Sequence, residues 1–196
     1  MALHFLGTAA DVTAKREKYA RIERERRFLL RELPPGLERK SPHTQIFDNY
    51  ITGTRLRLRK IREPYRREWT WKLSQKFAPD PTDFSRTLIS NIYLSQSEYE
   101  QLAVFEGNEI RKNRYPYLHE GRTYSIDVFL GMLWGLILAE TEFETDEEMD
   151  TFTPPDFVAL EVTNDEMFTG GALVHLTSDE IRAELQRRGE LKNTQA

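Results

Sequence analysis

Ile22-Glu23-Arg24-Glu25-Arg26-Arg27-Phe28 carries a glutamate at every second position early on, and Ala139-Glu140-Thr141-Glu142-Phe143-Glu144 repeats the device. Between the two lie Arg55-Leu56-Arg57-Leu58-Arg59 and Lys112-Asn113-Arg114, where the alternating charge is positive. In an extended strand, residues i and i+2 point to the same side. Each run therefore sends two or three like charges onto one face. A single such strand reads as a solvated surface. Acidic and basic strands in one chain raise a second reading, in which the charges share an enclosed space.

Alternation and turn residues divide the chain into short strands. A strand over 22–30 ends at Leu33-Pro34-Pro35-Gly36, and a second is expected over 45–51. After the Thr52-Gly53 turn signal, residues 54–61 alternate with Leu56 and Leu58 on one face. Residues 68–75 set Trp69, Trp71 and Leu73 against Thr70, Lys72 and Ser74. Further strands are expected over 86–94, 109–117, 122–130, 136–143 and 157–163, with a turn across Gly131 to Gly135. Ser95 and Glu98 have capping-box spacing and predict a helix over 95–105. A second helix is expected over 178–188 with its cap at Ser178, and a short one within residues 1–20. Asp146-Glu147-Glu148 reads as a solvated loop. Short strands joined mostly by tight turns favour antiparallel pairing in a mainly β, α+β fold.

Composition narrows the classes. The chain has 196 residues, which favours one domain with a real core. Cysteine is absent, excluding thiolate metal sites and cysteine nucleophiles. A net charge of −4 does not suggest a general nucleic-acid binder. No cationic, apolar leader is seen at the N-terminus. The longest apolar run, 128–139, is short of the roughly 20 residues a membrane helix needs. A cytoplasmic location follows by default. His4, His43, His119 and His175 are scattered, and no nucleophile elbow, Walker loop or dinucleotide-binding turn is present.

In five strands the face opposite the charges is apolar: Leu56/Leu58, Trp69/Trp71/Leu73, Ile126/Val128, Ala139/Phe143 and Leu160/Val162. One reading is an open sheet with a wet polar face. The other is a closed barrel whose charged faces line its interior. Like charges inside would repel and be costly to desolvate without counter-ions. Paired glutamates suit hard cations such as Mg²⁺ or Mn²⁺, and arginine forks suit phosphate oxygens. A linear triphosphate chelated by a divalent metal explains both halves.

These segments together resemble the triphosphate tunnel metalloenzymes, the CYTH superfamily. The resemblance rests on residues 22–28 and 55–59 above, with Trp69-Thr70-Trp71-Lys72, Lys112-Asn113-Arg114-Tyr115, Ile126-Asp127-Val128-Phe129-Leu130-Gly131, residues 135–142 and Glu161-Val162-Thr163. It implies a closed eight-stranded antiparallel β-barrel tunnel with a few flanking helices, spanning 21–188, an N-terminal extension over 1–20 and a frayed tail over 189–196. It implies a metal-dependent phosphohydrolase that removes the terminal phosphate of a linear triphosphate, most simply inorganic tripolyphosphate, with Mg²⁺ or Mn²⁺ as cofactor.

Residue by residue, the resemblance makes Glu23, Glu25, Glu140 and Glu142 metal ligands, with Asp127 and Glu161 as ligands or their supports. It makes Arg27, Arg55, Arg57, Arg59, Lys72, Lys112 and Arg114 the phosphate grip. Lys72 becomes the group that stabilises leaving-group charge, and Glu25 and Glu142 serve the metal and the attacking water. Arg27 stands where the family usually has lysine. Arg24 and Arg26 make the opposite face of that strand basic, for a partner or for solvent. The family's cyclase branch carries a His-Phe pair just before its first glutamate; here His4-Phe5 lies 18 residues ahead of Glu23.

Other readings stay open at this point. A tunnel of the same walls can bind a nucleotide or polyphosphate without turnover, and thiamine triphosphate, a nucleoside triphosphate or a cyclase reaction are further substrates and activities. The partner implied is a small-molecule triphosphate, with neither nucleic acid nor membrane, in a monomer or homodimer. Tyr115 and Tyr117 are read as lining the tunnel mouth or as ordinary packing, and Trp69, Trp71 and Trp134 as packing residues. The C-terminal helix is placed at one tunnel end.

Overall fold

The computed structural model describes residues 20–189; the short N-terminal helix expected above lies outside them. Eight strands close into an antiparallel barrel. They are β1 (Arg21–Leu29), β2 (Thr44–Ile51), β3 (Leu56–Glu63), β4 (Glu68–Phe77), β5 (Arg86–Leu94), β6 (Gly107–His119), β7 (Arg122–Leu130) and β8 (Ile137–Phe143). Their order around the wall is β5-β4-β3-β2-β6-β7-β8-β1, and β1 pairs back onto β5 to complete the ring. Closure leaves no free edge along these strands. A two-residue strand, β9 (Leu160–Glu161), pairs with β1 at Phe28 and Leu29, beyond the stretch of β1 that pairs with β5, and is much shorter than the strand expected over 157–163.

Registers place the alternation. Glu25 pairs with Glu142 and Arg27 with Glu140 across β1 and β8. Arg59 pairs with Lys72 across β3 and β4, and Arg114 with Asp127 across β6 and β7. The β6–β7 hairpin turns on Glu120 and Gly121, both at positive φ (48° and 79°), the backbone of a two-residue type I′ turn.

The outer apolar faces become cores because other segments cover them. Phe28, Tyr115, Tyr124, Ile126, Val128 and Ala139 are buried under Leu33, Leu37, Phe152, Phe157 and Val158. The loop after β1 is tied down by the Tyr115 and Tyr117 hydroxyls, which donate to the carbonyls of Arg39 and Pro35 at 3.0 Å. Both tyrosines therefore face outward and serve packing. Trp69 and Trp134 stay largely at the surface.

A second core seals one barrel end. There the inward faces turn apolar at Leu29, Ile110, Phe129 and Leu138, and Phe168, Leu173, Ile181 and Leu185 pack onto them. These last four come from a 3-10 turn (Glu166–Phe168) and the helices α3 (Gly170–Leu173) and α4 (Ser178–Arg187), so the C-terminal helix does sit at a tunnel end. Its cap is Thr177, whose side chain completes the capping box with Glu180, not Ser178. Ser95 caps α1 (Gln96–Leu102) with Glu98 as expected.

Asp146-Glu147-Glu148 is not a loop. It is the first turn of α2 (Asp146–Thr151), capped by Thr145, with three carboxylates at the positive end of the helix. Asp146 takes Arg24 at 2.8 Å and Arg86 at 2.9 Å. Among the described residues no helix is long and apolar enough to cross a membrane.

Phe28 is fully buried where the barrel wall meets its outer cover. Phe28→Ala is expected to lower unfolding free energy by ~3–5 kcal/mol, read as a fall in the denaturant midpoint. A loss under about 1 kcal/mol would contradict the assignment of this face as core.

Candidate active site

The inward faces enclose a cavity of about 970 Å³. β1 supplies Arg21, Glu23, Glu25 and Arg27 to it, and β8 supplies Glu140 and Glu142, because each strand alternates in step with its charges. β3 supplies Arg57 and Arg59, with Arg55 just before it; β4 supplies Lys72 and Lys76, and β6 supplies Lys112 and Arg114. Acidic and basic runs far apart in sequence thus face one space.

On the acidic side the carboxylates are held by cations from the same wall. Lys76 Nζ bridges Glu23 at 2.7 Å and Glu25 at 2.9 Å. Arg27 reaches Glu25 at 2.6 Å and Glu140 at 3.2 Å, and its third arm donates to the Phe168 carbonyl at 3.1 Å. Burial opposes ionisation of Glu23, but Lys76 and Arg21 outweigh it and its pKa falls. Burial likewise opposes ionisation of Glu140, whose pKa ends well below the usual carboxylate range because Arg114, Lys112 and Arg27 surround it. Glu142 behaves oppositely: burial, then the nearby charge of Glu23, raises its pKa. Its carboxylate has no hydrogen bond or ion pair among the described residues. No three acidic or histidine side chains among those residues converge closely enough to cage an ion unaided.

On the basic side two buried aspartates act as anchors. Asp48, 1% exposed, holds Arg59 through both oxygens at 2.5 and 2.6 Å. Asp127, fully buried, holds Lys112 at 2.5 Å and Arg114 at 2.7 and 2.6 Å. Asp48 stays ionised, since Arg59 and Arg57 overcome the burial that would raise its pKa. Lys72 forms no ion pair among the described residues. Burial, then Arg59 and Arg57 beside it, lower its pKa to about 8. The Tyr50 hydroxyl completes this corner against Gly170, where a Cβ would stand 1.9 Å from it; only glycine allows that approach without displacement.

Of the residues picked out from the sequence, Glu23, Glu25, Glu140, Glu142, Arg27, Arg55, Arg57, Arg59, Lys72, Lys112 and Arg114 all line the cavity. Arg55 sits at its rim with its guanidinium 4.6 Å from the Phe77 ring centre. Two do not line it. Asp127 lies behind the wall as the partner of Lys112 and Arg114. Glu161 is on the outside of the barrel, because its register sets it opposite the outward-facing Phe28; it takes Arg26 at 2.5 Å and the Thr163 hydroxyl at 2.6 Å. Arg24 and Arg26 are thereby answered from within the chain. Asp48, Tyr50 and Lys76 join the site without having been singled out. The signal for Lys76 was the continuing alternation Lys72-Ser74-Lys76.

A closed barrel with carboxylates and cations on facing strands defines an enclosed, charge-lined class of site. No family model matches the chain. It is 30% identical over 162 residues to an inorganic triphosphatase of Nitrosomonas europaea, covering 77% of this chain and 95% of that protein. It is 37% identical over 92 residues to an inorganic triphosphatase of Acetivibrio thermocellus, covering 41% of this chain and 58% of that one. The crystal structure of the inorganic triphosphatase NE1496 superposes with a TM-score of 0.53 at 26% identity, over 78% of this chain and 93% of its own. The chain belongs to the family of these inorganic triphosphatases.

Lys72 should titrate with a midpoint near 8 when followed by NMR of its ε carbon. A depressed lysine is disfavoured in its charged form by the fold, so stability should rise as pH climbs from that midpoint toward the ordinary lysine value. A midpoint at the ordinary value of about 10.4 would contradict the described surroundings.

Proposed function

We infer that this chain is a divalent-metal-dependent triphosphatase of the triphosphate tunnel metalloenzyme type, releasing the terminal phosphate of a linear triphosphate, with inorganic tripolyphosphate as substrate. The observation that carries it is the meeting of Glu23, Glu25, Glu140 and Glu142 with Arg57, Lys72, Lys112 and Arg114 around one cavity. The kinship with inorganic triphosphatases supports the choice of substrate.

The donor set fits Mg²⁺ or Mn²⁺. It is all oxygen, and Glu142 lies unpaired beside Glu23 and Glu25, a corner where a cation relieves repulsion. Mg²⁺ is commonly held by one or two carboxylates together with substrate phosphates and not by an all-protein cage. Glu23, Glu25, Glu140 and Glu142 would hold the ion, which supplies charge neutralisation on the phosphate oxygens.

The chain's own residues do the rest. The basic wall neutralises the phosphate chain and orients its terminal phosphoryl for in-line attack, which is where most of the catalysis of phosphoryl transfer resides. Water adds to the terminal phosphorus as the bond to the bridging oxygen breaks, and pyrophosphate leaves with the electron pair. Glu142 is placed to take the proton of the attacking water. Lys72 meets the charge that develops on the departing oxygen.

Phosphate release from tripolyphosphate, ATP and thiamine triphosphate, each with and without Mg²⁺ or Mn²⁺, tests this. Metal-dependent release from tripolyphosphate is expected, with Glu25→Gln and Glu142→Gln each losing ~100-fold or more while remaining folded. Full activity in both variants, or binding of tripolyphosphate without any turnover, would contradict it.

A further inference from the structure

The cations of the basic wall are not equivalent. Asp48 engages both the Nε and Nη2 edge of Arg59, which occupies the fork that would otherwise present two parallel donors to an anion. Asp127 engages the matching edge of Arg114. Arg57, two residues earlier on β3, lines the same cavity but is held more loosely: its Nε forms only a long ion pair with Asp48, at 3.8 Å and beyond hydrogen-bond reach, and Tyr50 is its other polar neighbour. That Nε is buried and has no hydrogen-bond partner. Buried donors are nearly always satisfied, so an orphaned one in a cavity wall marks a place prepared for an acceptor. Lys72, beside Arg59 on β4, has no ion-pair partner among the described residues.

We propose that Asp48 is a positioning residue that withdraws the Arg59 fork from the substrate and leaves Arg57, with Lys72 beside it, to receive the phosphate chain. The assignment rests on the triphosphatase reading and deepens it by naming which cations touch substrate. A phosphate brought to the Arg59 fork would have to displace a carboxylate and then lie against it. At Arg57 it finds an Nε donor that makes no hydrogen bond. Arg59 still contributes positive charge, offset by its partner, and its main effect is to keep the corner rigid. A wall with every arginine open would grip substrate and product alike, and uniform binding lowers KM without raising kcat.

Three full-length variants test this by calorimetric binding of tripolyphosphate in metal-free buffer and by steady-state kinetics with Mg²⁺. Asp48→Asn frees the Arg59 fork. It should lower Kd and KM together while kcat stays level or falls through slower product release. Arg57→Gln should raise Kd by more than about tenfold, the scale of one charge-assisted hydrogen bond. The double variant Asp48→Asn/Arg59→Gln strands no charge, and its Kd should stay within about threefold of the parent. If the double variant fails to fold, Arg59→Lys replaces it with the same expectation, since the ammonium keeps one charge on Asp48 but has no fork.

Equal losses in Arg57→Gln and in the double variant, or an unchanged Kd in Asp48→Asn, would overturn the assignment while leaving the triphosphatase reading intact. Failure of the parent protein to bind or hydrolyse tripolyphosphate would overturn that reading, and this assignment with it.

Discussion

Charge removed from water must be met by opposite charge at close range, or the fold loses more by desolvation than it gains. The interior of this barrel is governed by that requirement. Lys76 spans Glu23 and Glu25, Arg27 spans Glu25 and Glu140, and Arg114 spans Glu140 and Asp127. The result is a continuous belt of alternating charge that crosses from β4 through β1 and β8 to β6. Each member holds its neighbour in one rotamer, which a set of like-charged side chains on an open sheet would not do. Exceptions to the pairing therefore carry information: Glu142 and Lys72 have no ion pair among the described residues, and they share one chamber with the Nε of Arg57, which makes no hydrogen bond.

The belt is possible only because the rest of the fold excludes water around it. The same strands turn apolar at one end, where Phe168 and Leu173 close the barrel, and that plug is tied into the belt by the hydrogen bond from Arg27 to the Phe168 carbonyl. Outside, segments 30–43 and 152–163 cover the apolar faces of β1, β6, β7 and β8. The outer basic residues of β1 are matched in turn by α2 and β9. Interior and exterior of one strand thus have separate sets of partners, and its strict alternation serves both.

That alternation is why so much of the architecture was legible in the sequence. A period of two with like charges on one side and Leu, Trp, Ile or Val on the other identifies both strand and face, and the Ser95 and Glu98 pair marks a helix start by spacing alone. What stayed hidden lacks a repeating pattern. Asp48 is a lone acid between Phe47 and Asn49, and only the pairing of β2 with β3 brings it to Arg59. Glu161 resembles an interior carboxylate in sequence, but the register of a two-residue strand sets it opposite the outward-facing Phe28 and beside Arg26. α2 was legible in principle from Thr145 and the acids after it, since such a run suits the first turn of a helix as well as a loop. Asp127 alternates with Ile126 and Val128 as an interior residue should; its depth behind Lys112 and Arg114 comes from side-chain lengths across the β6–β7 pair, which no strand pattern encodes.

The central claim is that both walls act on one ligand at once. A crystal structure of the protein with Mn²⁺ and a non-hydrolysable imidotriphosphate tests it most directly, through the anomalous signal of the metal. A metal peak is expected inside the barrel against Glu25, Glu140 or Glu142, with the phosphate chain reaching from it to Arg57 and Lys72. Metal and phosphates found apart, or on the outer surface with the interior belt undisturbed, would contradict it.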